Sequence, residues 1–298
     1  MNILITGGTG FIGTALRDHL LRQGHYLTII SRSPDRYESE TAENQAFISW
    51  ESDLAAAMNR ADVVVNLVGE NIFGKLWTDR VKERLYASRV ENTRRLVEAV
   101  EQSDDRPDLF VSASGINYYG DRGSDLLDEE EPPGDSFMSR LCVDWETAAE
   151  PVKGVGVRLV VFRFGVVLEK GGGALQYMLP LFRFGLGGSI GPGTQYFPWV
   201  HMFDLCRAID FAMEHDGLEG PCNLSSPDTV TIDEFADTLG EVLHRPTLFK
   251  APEFAVKLLL GDASEPLLQS LRTQPKKLQQ AGFEFRFEQL DEALSEII

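Results

Sequence analysis

The run Gly7-Gly8-Thr9-Gly10-Phe11-Ile12-Gly13 constrains this chain more than any other feature. It follows a short apolar stretch, Asn2 to Thr6, and precedes Ala15 to Leu21, where apolar residues recur at helical spacing. Strand, glycine turn and helix in succession are the opening unit of a dinucleotide-binding sheet. Small residues are needed at Gly7, Gly10 and Gly13 because the backbone must turn tightly, approach a pyrophosphate and let the helix pack on the strand. The helix N–H groups then face the phosphates. Thr9, Phe11 and Ile12 lie between the glycines and join the expected cofactor-binding set. The alternative is an ordinary glycine-rich turn.

A second strand, Tyr26 to Ser31, ends in Ser31-Arg32-Ser33. An NAD enzyme usually presents a carboxylate here to the ribose 2′-hydroxyl, whereas Arg32 suits a 2′-phosphate, so the expected cofactor is NADP(H). Asp35 could still serve NAD if the loop folds back, and Arg32 could be a solvent-facing turn residue.

Further along, Ala61 to Val68 is the continuous apolar run of a strand covered on both faces. Trp77 to Ser103 reads as helical, with Val81, Leu85, Leu96 and Val100 on one face. Leu109 to Ser112 and Val157 to Phe164 are two more buried strands. Alternating strands and helices predict an α/β Rossmann fold, a doubly wound parallel sheet. After Leu168 the texture changes to a loop-rich, aromatic segment punctuated by glycines. Helices return at the Thr231 to Glu234 capping box, after Pro252 and after Pro275. Asn223 to Ser225 looks like a strand rejoining the first sheet. The expected division is an NADP(H)-binding domain over 1–168, rejoined by 200–227, and a smaller C-terminal substrate domain over 169–199 and 228–298.

Composition excludes several function classes. At 298 residues and 43% hydrophobic the chain can hold one dinucleotide domain and a smaller one. Its net charge of -18 opposes nucleic acid and anionic membrane as partners. The apolar runs are too short and too interrupted by charge to cross a bilayer, and no signal pattern opens the chain. Three widely spaced cysteines, Cys142, Cys206 and Cys222, suggest neither disulfides nor a zinc site and fit a reducing cytoplasm. The acidic stretch Asp125 to Asp135 reads as a solvated loop, so no metal is expected. The expected partner is a small-molecule substrate, with the chain a monomer or homodimer.

These motifs, with NLVGENI at Asn66 to Ile72, WTDRVKERLYASRVENT from Trp77, SASGINYYGD from Ser112, WETAA from Trp145, GGGALQYMLPLFRFGLGG, PWVHMFDL and the closing LDEAL, resemble the extended short-chain dehydrogenase/reductase superfamily. Within it they are similar to the NAD(P)-dependent epimerase/dehydratase branch and its YfcH-like epimerase family proteins, often labelled sugar-nucleotide epimerase or cell-division inhibitor. The similarity runs over essentially the whole chain. It implies an NADP(H) cofactor bordered by Leu67 and Val68 after the fourth strand, Arg89 on the long helix and Val166 after the sixth strand. It implies as substrate class a nucleotide sugar or a small carbonyl compound. Core packing is the alternative for Leu67, Val68 and Val166, and a surface ion pair for Arg89.

The superfamily's Tyr-x-x-x-Lys pair is missing, since no tyrosine here has lysine four residues later. If Glu146 takes the place of the glutamate that often follows that pair, Met138 falls at the tyrosine position and Cys142 at the lysine position. Ser114, at the family's serine or threonine position, and Tyr118 and Tyr119 remain as candidates for polarising a substrate. Alternatively Ser114 caps a loop and both tyrosines pack against the second domain. Cys142, with Arg140 nearby, is a possible nucleophile or an inert buried thiol. Gln195, Trp199, His201 and Asp204 could line a cleft, or His201 and Asp204 could tie the two domains together. Arg183, Arg207 and Arg272 could meet a substrate phosphate or lie on the surface. Two functions fit: an oxidoreductase or epimerase-like enzyme with an unusual proton donor, and a non-catalytic NADP(H)-binding regulator or sensor.

Overall fold

A computed structural model describes residues 1–298. Seven parallel strands form the central sheet: β1 (Asn2–Thr6), β2 (Tyr26–Ser31), β3 (Gln45–Ser49), β4 (Val63–Asn66), β5 (Leu109–Gly115), β6 (Arg158–Phe164) and β7 (Gly220–Leu224). Their spatial order is β7-β6-β5-β4-β1-β2-β3. The order reverses at β1, so the C-terminal ends of β1 and β4 open a crevice at the switch point, where ligands of such sheets bind.

The central strands are apolar because helices cover both faces. One layer, α1 (Phe11–Arg22) and α6 (Met202–Glu214), packs Leu16, Leu20, Leu205 and Ile209 against Ile3, Ile5, Val63 and Val65. On the other side Leu96, Val97 and Val100 of α3 (Asn92–Gln102) meet Leu4, Val64, Phe110 and Val161. Alternate residues of each strand thus serve opposite cores. A separate cluster gathers Leu175, Leu179 and Phe182 of α5 (Leu175–Arg183) with Phe235 and Leu239 of α7 (Ile232–Leu243) and Leu290 and Leu294 of α9 (Leu290–Ile297).

The structure departs from the sequence reading in three places. Strand β3 was not legible, because it pairs only with β2 at the sheet edge and is buried at Gln45 alone. The segment after Leu168 is less loop-like than expected, since α5 forms there despite Pro180 inside it. The long helix after Trp77 is split: α2 (Asp79–Tyr86) and α3 are joined by a π-helical turn, Ala87–Glu91. The Thr231–Glu234 capping box is present as expected, and α8 (Glu253–Leu260) follows Pro252.

Candidate functional site

The glycine turn has the geometry its sequence requires. Gly7 has φ +68°, and a Cβ there would sit 2.5 Å from the Leu67 carbonyl oxygen. At Gly13 a Cβ would fall 2.2 Å from the Gly7 carbonyl oxygen, so α1 packs directly on the loop. Gly10 differs: a Cβ would meet only the Gly7 carbonyl oxygen, at 3.2 Å, and otherwise open space. Gly10 is the N-cap of α1 and supplies no side-chain cap. The first-turn amides and the positive end of the helix dipole therefore face that space, which suits a diphosphate. Thr9 and Ile12 are partly buried, and the Phe11 ring lies against Gly172 and Gly173.

At the end of β2, Ser31 is buried and accepts a hydrogen bond from the Ser33 N–H, 3.2 Å, which turns the chain outward. Arg32 is exposed there and its guanidinium has no carboxylate or carbonyl partner in the structure. An unpaired guanidinium beside the crevice is the donor set a 2′-phosphate needs.

The loop after β4 forms the opposite wall. Leu67 and Val68 are partly buried, Leu67 touching the glycine turn through its backbone. The π turn holds this loop: Ser88 Oγ accepts from the Glu70 N–H at 3.0 Å, and Arg89 Nη2 donates to the Glu70 carbonyl at 3.0 Å. Arg89 also donates to the Leu85 carbonyl, and its guanidinium lies over the Trp145 ring. Burial lowers its pKa to about 10, so it stays charged at neutral pH. No carboxylate pairs with it; Glu70 instead pairs with Lys75 and Arg84. π turns are frequent at functional sites because the extra residue re-aims side chains. Val166, partly buried, lies on the short strand Val166–Leu168, which pairs with Trp199–His201.

Behind the crevice lies a continuous polar network. Ser114 Oγ donates to Glu146 Oε1 at 2.7 Å. Arg163 donates to both Glu146 oxygens, Nε to Oε1 and Nη2 to Oε2, each at 2.8 Å. Its Nη1 donates to the Tyr119 hydroxyl at 3.0 Å, and that hydroxyl donates to Asn223 Oδ1 at 2.6 Å. Burial alone would lower the Arg163 pKa, yet the Glu146 carboxylate outweighs it and raises it. Burial pushes the Tyr119 hydroxyl well above its usual range.

This network separates the three hydroxyl candidates. Tyr119 is fully buried with its proton committed to Asn223, so it has no reach to a ligand. Ser114 is buried, 4% exposed, and gives its proton to Glu146, which leaves its lone pairs free of a donor. Tyr118 is partly buried with its ring 3.4 Å beneath the Arg163 guanidinium, and its hydroxyl has no partner. Met138 is packed among Trp77, Leu85, Leu141 and Trp145. Cys142 is buried, its thiol pushed up to about 12 by that burial. Both positions of the missing pair are filled by core.

The second-region candidates are structural joints. His201 caps α6, its Nδ1 accepting from the Phe203 N–H at 3.0 Å, and stacks on Phe287. Asp204, fully buried, accepts from the Arg286 and Phe287 N–H groups and from Arg207. Trp199 donates to the Asp228 carbonyl and Gln195 to the Ile190 carbonyl. Arg272 lies over Tyr196, and Arg183 is exposed. No group of His, Cys, Asp and Glu could hold a metal ion.

Sequence reasoning missed Arg163 and the π turn and took Glu146 only as a marker of alignment. The available signal was Arg163, set between Phe162 and Phe164 near the end of the apolar run Val157 to Phe164, because a charge in a buried strand requires a buried partner. Nothing in the local sequence marks the π turn.

Residues 3–224 match the model of the NAD dependent epimerase/dehydratase family, and residues 251–297 match a domain of unknown function, DUF1731. The chain is 36% identical to epimerase family protein YfhF of Bacillus subtilis, over all of this chain and 98% of that protein. It is 37% identical to the human epimerase family protein SDR39U1, covering 100% of both. A crystal structure of human SDR39U1 (isoform 2) with NADPH superposes with a TM-score of 0.91 at 38% identity, covering 100% of this chain and 99% of that one.

Proposed function

The chain belongs to the NAD dependent epimerase/dehydratase family, and from that premise we propose that it is an NADP(H)-dependent oxidoreductase or epimerase-like enzyme whose polar centre is Ser114 with Tyr118. The observation that carries this reading is the buried Ser114–Glu146–Arg163 chain at the C-terminal end of β5, beside the crevice. A bidentate, desolvated ion pair that ends on one serine hydroxyl fixes that hydroxyl's orientation. The relative solved with NADPH supports the cofactor, as do the unpaired Arg32 and the open space at Gly10.

The glycine turn and the first turn of α1 hold the pyrophosphate, Arg32 the 2′-phosphate, and Ser31, Leu67, Val68, Arg89 and Val166 border the dinucleotide. When bound, the cofactor supplies hydride chemistry. Ser114 Oγ, its own proton held by Glu146, accepts from a substrate hydroxyl and orients it. In the reductive direction the Tyr118 hydroxyl donates the proton that the carbonyl oxygen requires, and solvent restores it. A neutral phenol polarises a carbonyl but abstracts protons poorly, so reduction is the easier direction. The substrate, a nucleotide sugar or small carbonyl compound, lies between 1–168 and the segments 169–199 and 228–298. We place the protein in the cytoplasm, as a monomer or homodimer.

The second reading, a non-catalytic NADP(H)-binding sensor, is favoured by one observation: Met138, packed in an apolar cluster, and the buried thiol Cys142 stand at the two positions of the usual tyrosine–lysine pair. Calorimetric titration tests the shared part. NADPH should bind more tightly than NADH, and Arg32→Ala should weaken NADPH by roughly 1.5–3 kcal/mol while sparing NADH. NADPH oxidation screened over sugar nucleotides, quinones and small carbonyls tests the rest. Turnover lowered by both Ser114→Ala and Tyr118→Phe supports the enzyme, and NADPH binding without turnover supports the sensor.

A further inference from the structure

Arg17 lies on the buried face of α1, 6% exposed, in the helix whose first turn faces the pyrophosphate space. Its Nη2 donates to Glu40 Oε2 at 2.8 Å, its guanidinium lies 5.3 Å over the Phe47 ring of β3, and its Nε has no partner. Tyr37 stacks on the same ring, with centroids 5.0 Å apart and planes 14° from parallel. Tyr37 and Glu40 both belong to the 3-10 helix Pro34–Glu40, which directly follows Arg32 and Ser33. Gln45, buried at the start of β3, closes the arrangement by donating from Nε2 to the Glu40 carbonyl at 2.7 Å.

An ion pair that leaves one buried guanidinium N–H unsatisfied adds little net stability. What it fixes is geometry. Arg32 is exposed and nothing holds its own side chain, so its position depends on the path of the backbone that carries it. That backbone is anchored at one end by β2 and at the other by Glu40, drawn onto the helix that meets the pyrophosphate. NADPH carries its 2′-phosphate and its pyrophosphate on the same ribose, at a spacing its bonds restrict. A protein that presents both sites at that spacing before binding avoids the entropy of ordering the loop. NADH has no 2′-phosphate and gains nothing from the second site.

Resting on the reading of Arg32 as the 2′-phosphate ligand, we propose that the Arg17–Glu40 pair is the positioning element of NADP(H) selectivity. It ties the 2′-phosphate loop to the pyrophosphate helix and acts through Arg32. Neither Arg17 nor Glu40 needs to reach the dinucleotide. Glu40 gives the arrangement a distinctive sign, because removing a carboxylate from this loop would favour a phosphate if charge alone mattered. Loss of the tie disfavours it.

The test is calorimetric titration of the full-length protein with NADPH and with NADH, alongside a thermal melt. Arg17→Met and Glu40→Ala should each weaken NADPH about three- to tenfold and leave NADH unchanged within about twofold. In an Arg32→Ala background the same changes should no longer alter NADPH affinity, because the group they position is gone. Should Arg17→Met fail to fold, Glu40→Ala carries the comparison, since that side chain is 44% exposed. A lower Tm with the parent's ratio of NADPH to NADH affinity overturns the proposal and leaves the pair purely structural. So does an equal loss of both cofactors, tighter NADPH binding by Glu40→Ala, or an effect that adds in full to that of Arg32→Ala. A ratio unchanged by Arg32→Ala itself would remove the reading of Arg32 and the proposal with it, whereas a ratio that depends on Arg32 but not on Arg17 or Glu40 removes the proposal alone.

Discussion

Arg163 grips Glu146 through both arms of its guanidinium, each N–H to oxygen distance being 2.8 Å, with the Arg163 side chain 3% exposed and that of Glu146 13%. The pair spans β6 and α4 (Phe137–Ala149), and Ser114 on β5 closes it from the third side. Glu146→Ala would leave a buried guanidinium without its counter-charge, which costs about 3–5 kcal/mol. Chemical denaturation should show that loss, and Glu146→Gln should show a smaller one because it still accepts from Ser114. Replacing both partners together, Glu146→Leu with Arg163→Met, should recover part of the loss, because no buried charge is then stranded. If Glu146→Ala were as stable as the parent, the pair would be solvated and unable to fix Ser114.

Two glycines of one turn should fail differently. Gly10→Val meets only one carbonyl oxygen at 3.2 Å and should stay folded while losing dinucleotide binding, since its side chain occupies the open space. Gly13→Ala drives a Cβ to 2.2 Å from backbone and should destabilise the protein by about 1–3 kcal/mol or more. Thermal melts paired with NADPH titration separate the two effects. Undiminished binding by Gly10→Val would show that the turn does not face the ligand.

The three thiols should be silent. Burial pushes Cys142, Cys206 and Cys222 each up to about 12. Near pH 8 the thiolate is then about one part in ten thousand, and access is blocked besides. A chromogenic disulfide should label none of them until denaturant is added. Rapid modification of Cys142 in the native state would instead mark it as a nucleophile.

His201 should make stability sensitive to acid. Burial lowers its pKa below the ordinary 6.5, and its Nδ1 must stay unprotonated to accept from Phe203. The unfolded chain therefore binds the proton first, so this contribution is full above pH 6.5 and is lost as the pH falls from there toward the folded value. His201→Asn keeps a capping acceptor without titrating. Its Tm should fall less than the parent's between neutral and mildly acidic pH. An equal fall in both would remove His201 as the cause.

Local signals carried much of the architecture. Gly7, Gly10 and Gly13 located the turn, the apolar run through Val63 to Asn66 located a doubly covered strand, and Thr231 with Glu234 located the start of α7. Each of these depends on neighbours a few residues away, through φ preference, side-chain period or capping. The absence of a Tyr-x-x-x-Lys pair was legible for the same reason. Strand β3 escaped because an edge strand buries too little to leave a pattern.

What the tertiary structure alone decided is which polar groups meet. Ser114 and Tyr119, Glu146, Arg163 and Asn223 come from four separate stretches of chain, and they join because β5, β6 and β7 are neighbours in the sheet and α4 covers their ends. Sequence made Tyr118 and Tyr119 equivalent candidates. Folding buries the hydroxyl of Tyr119 against Asn223 and leaves that of Tyr118 without a partner, because adjacent residues on one short turn point to different sides. Hydrogen-bond partners over such separations follow from strand order and burial, and neither is written in the spacing of the residues themselves.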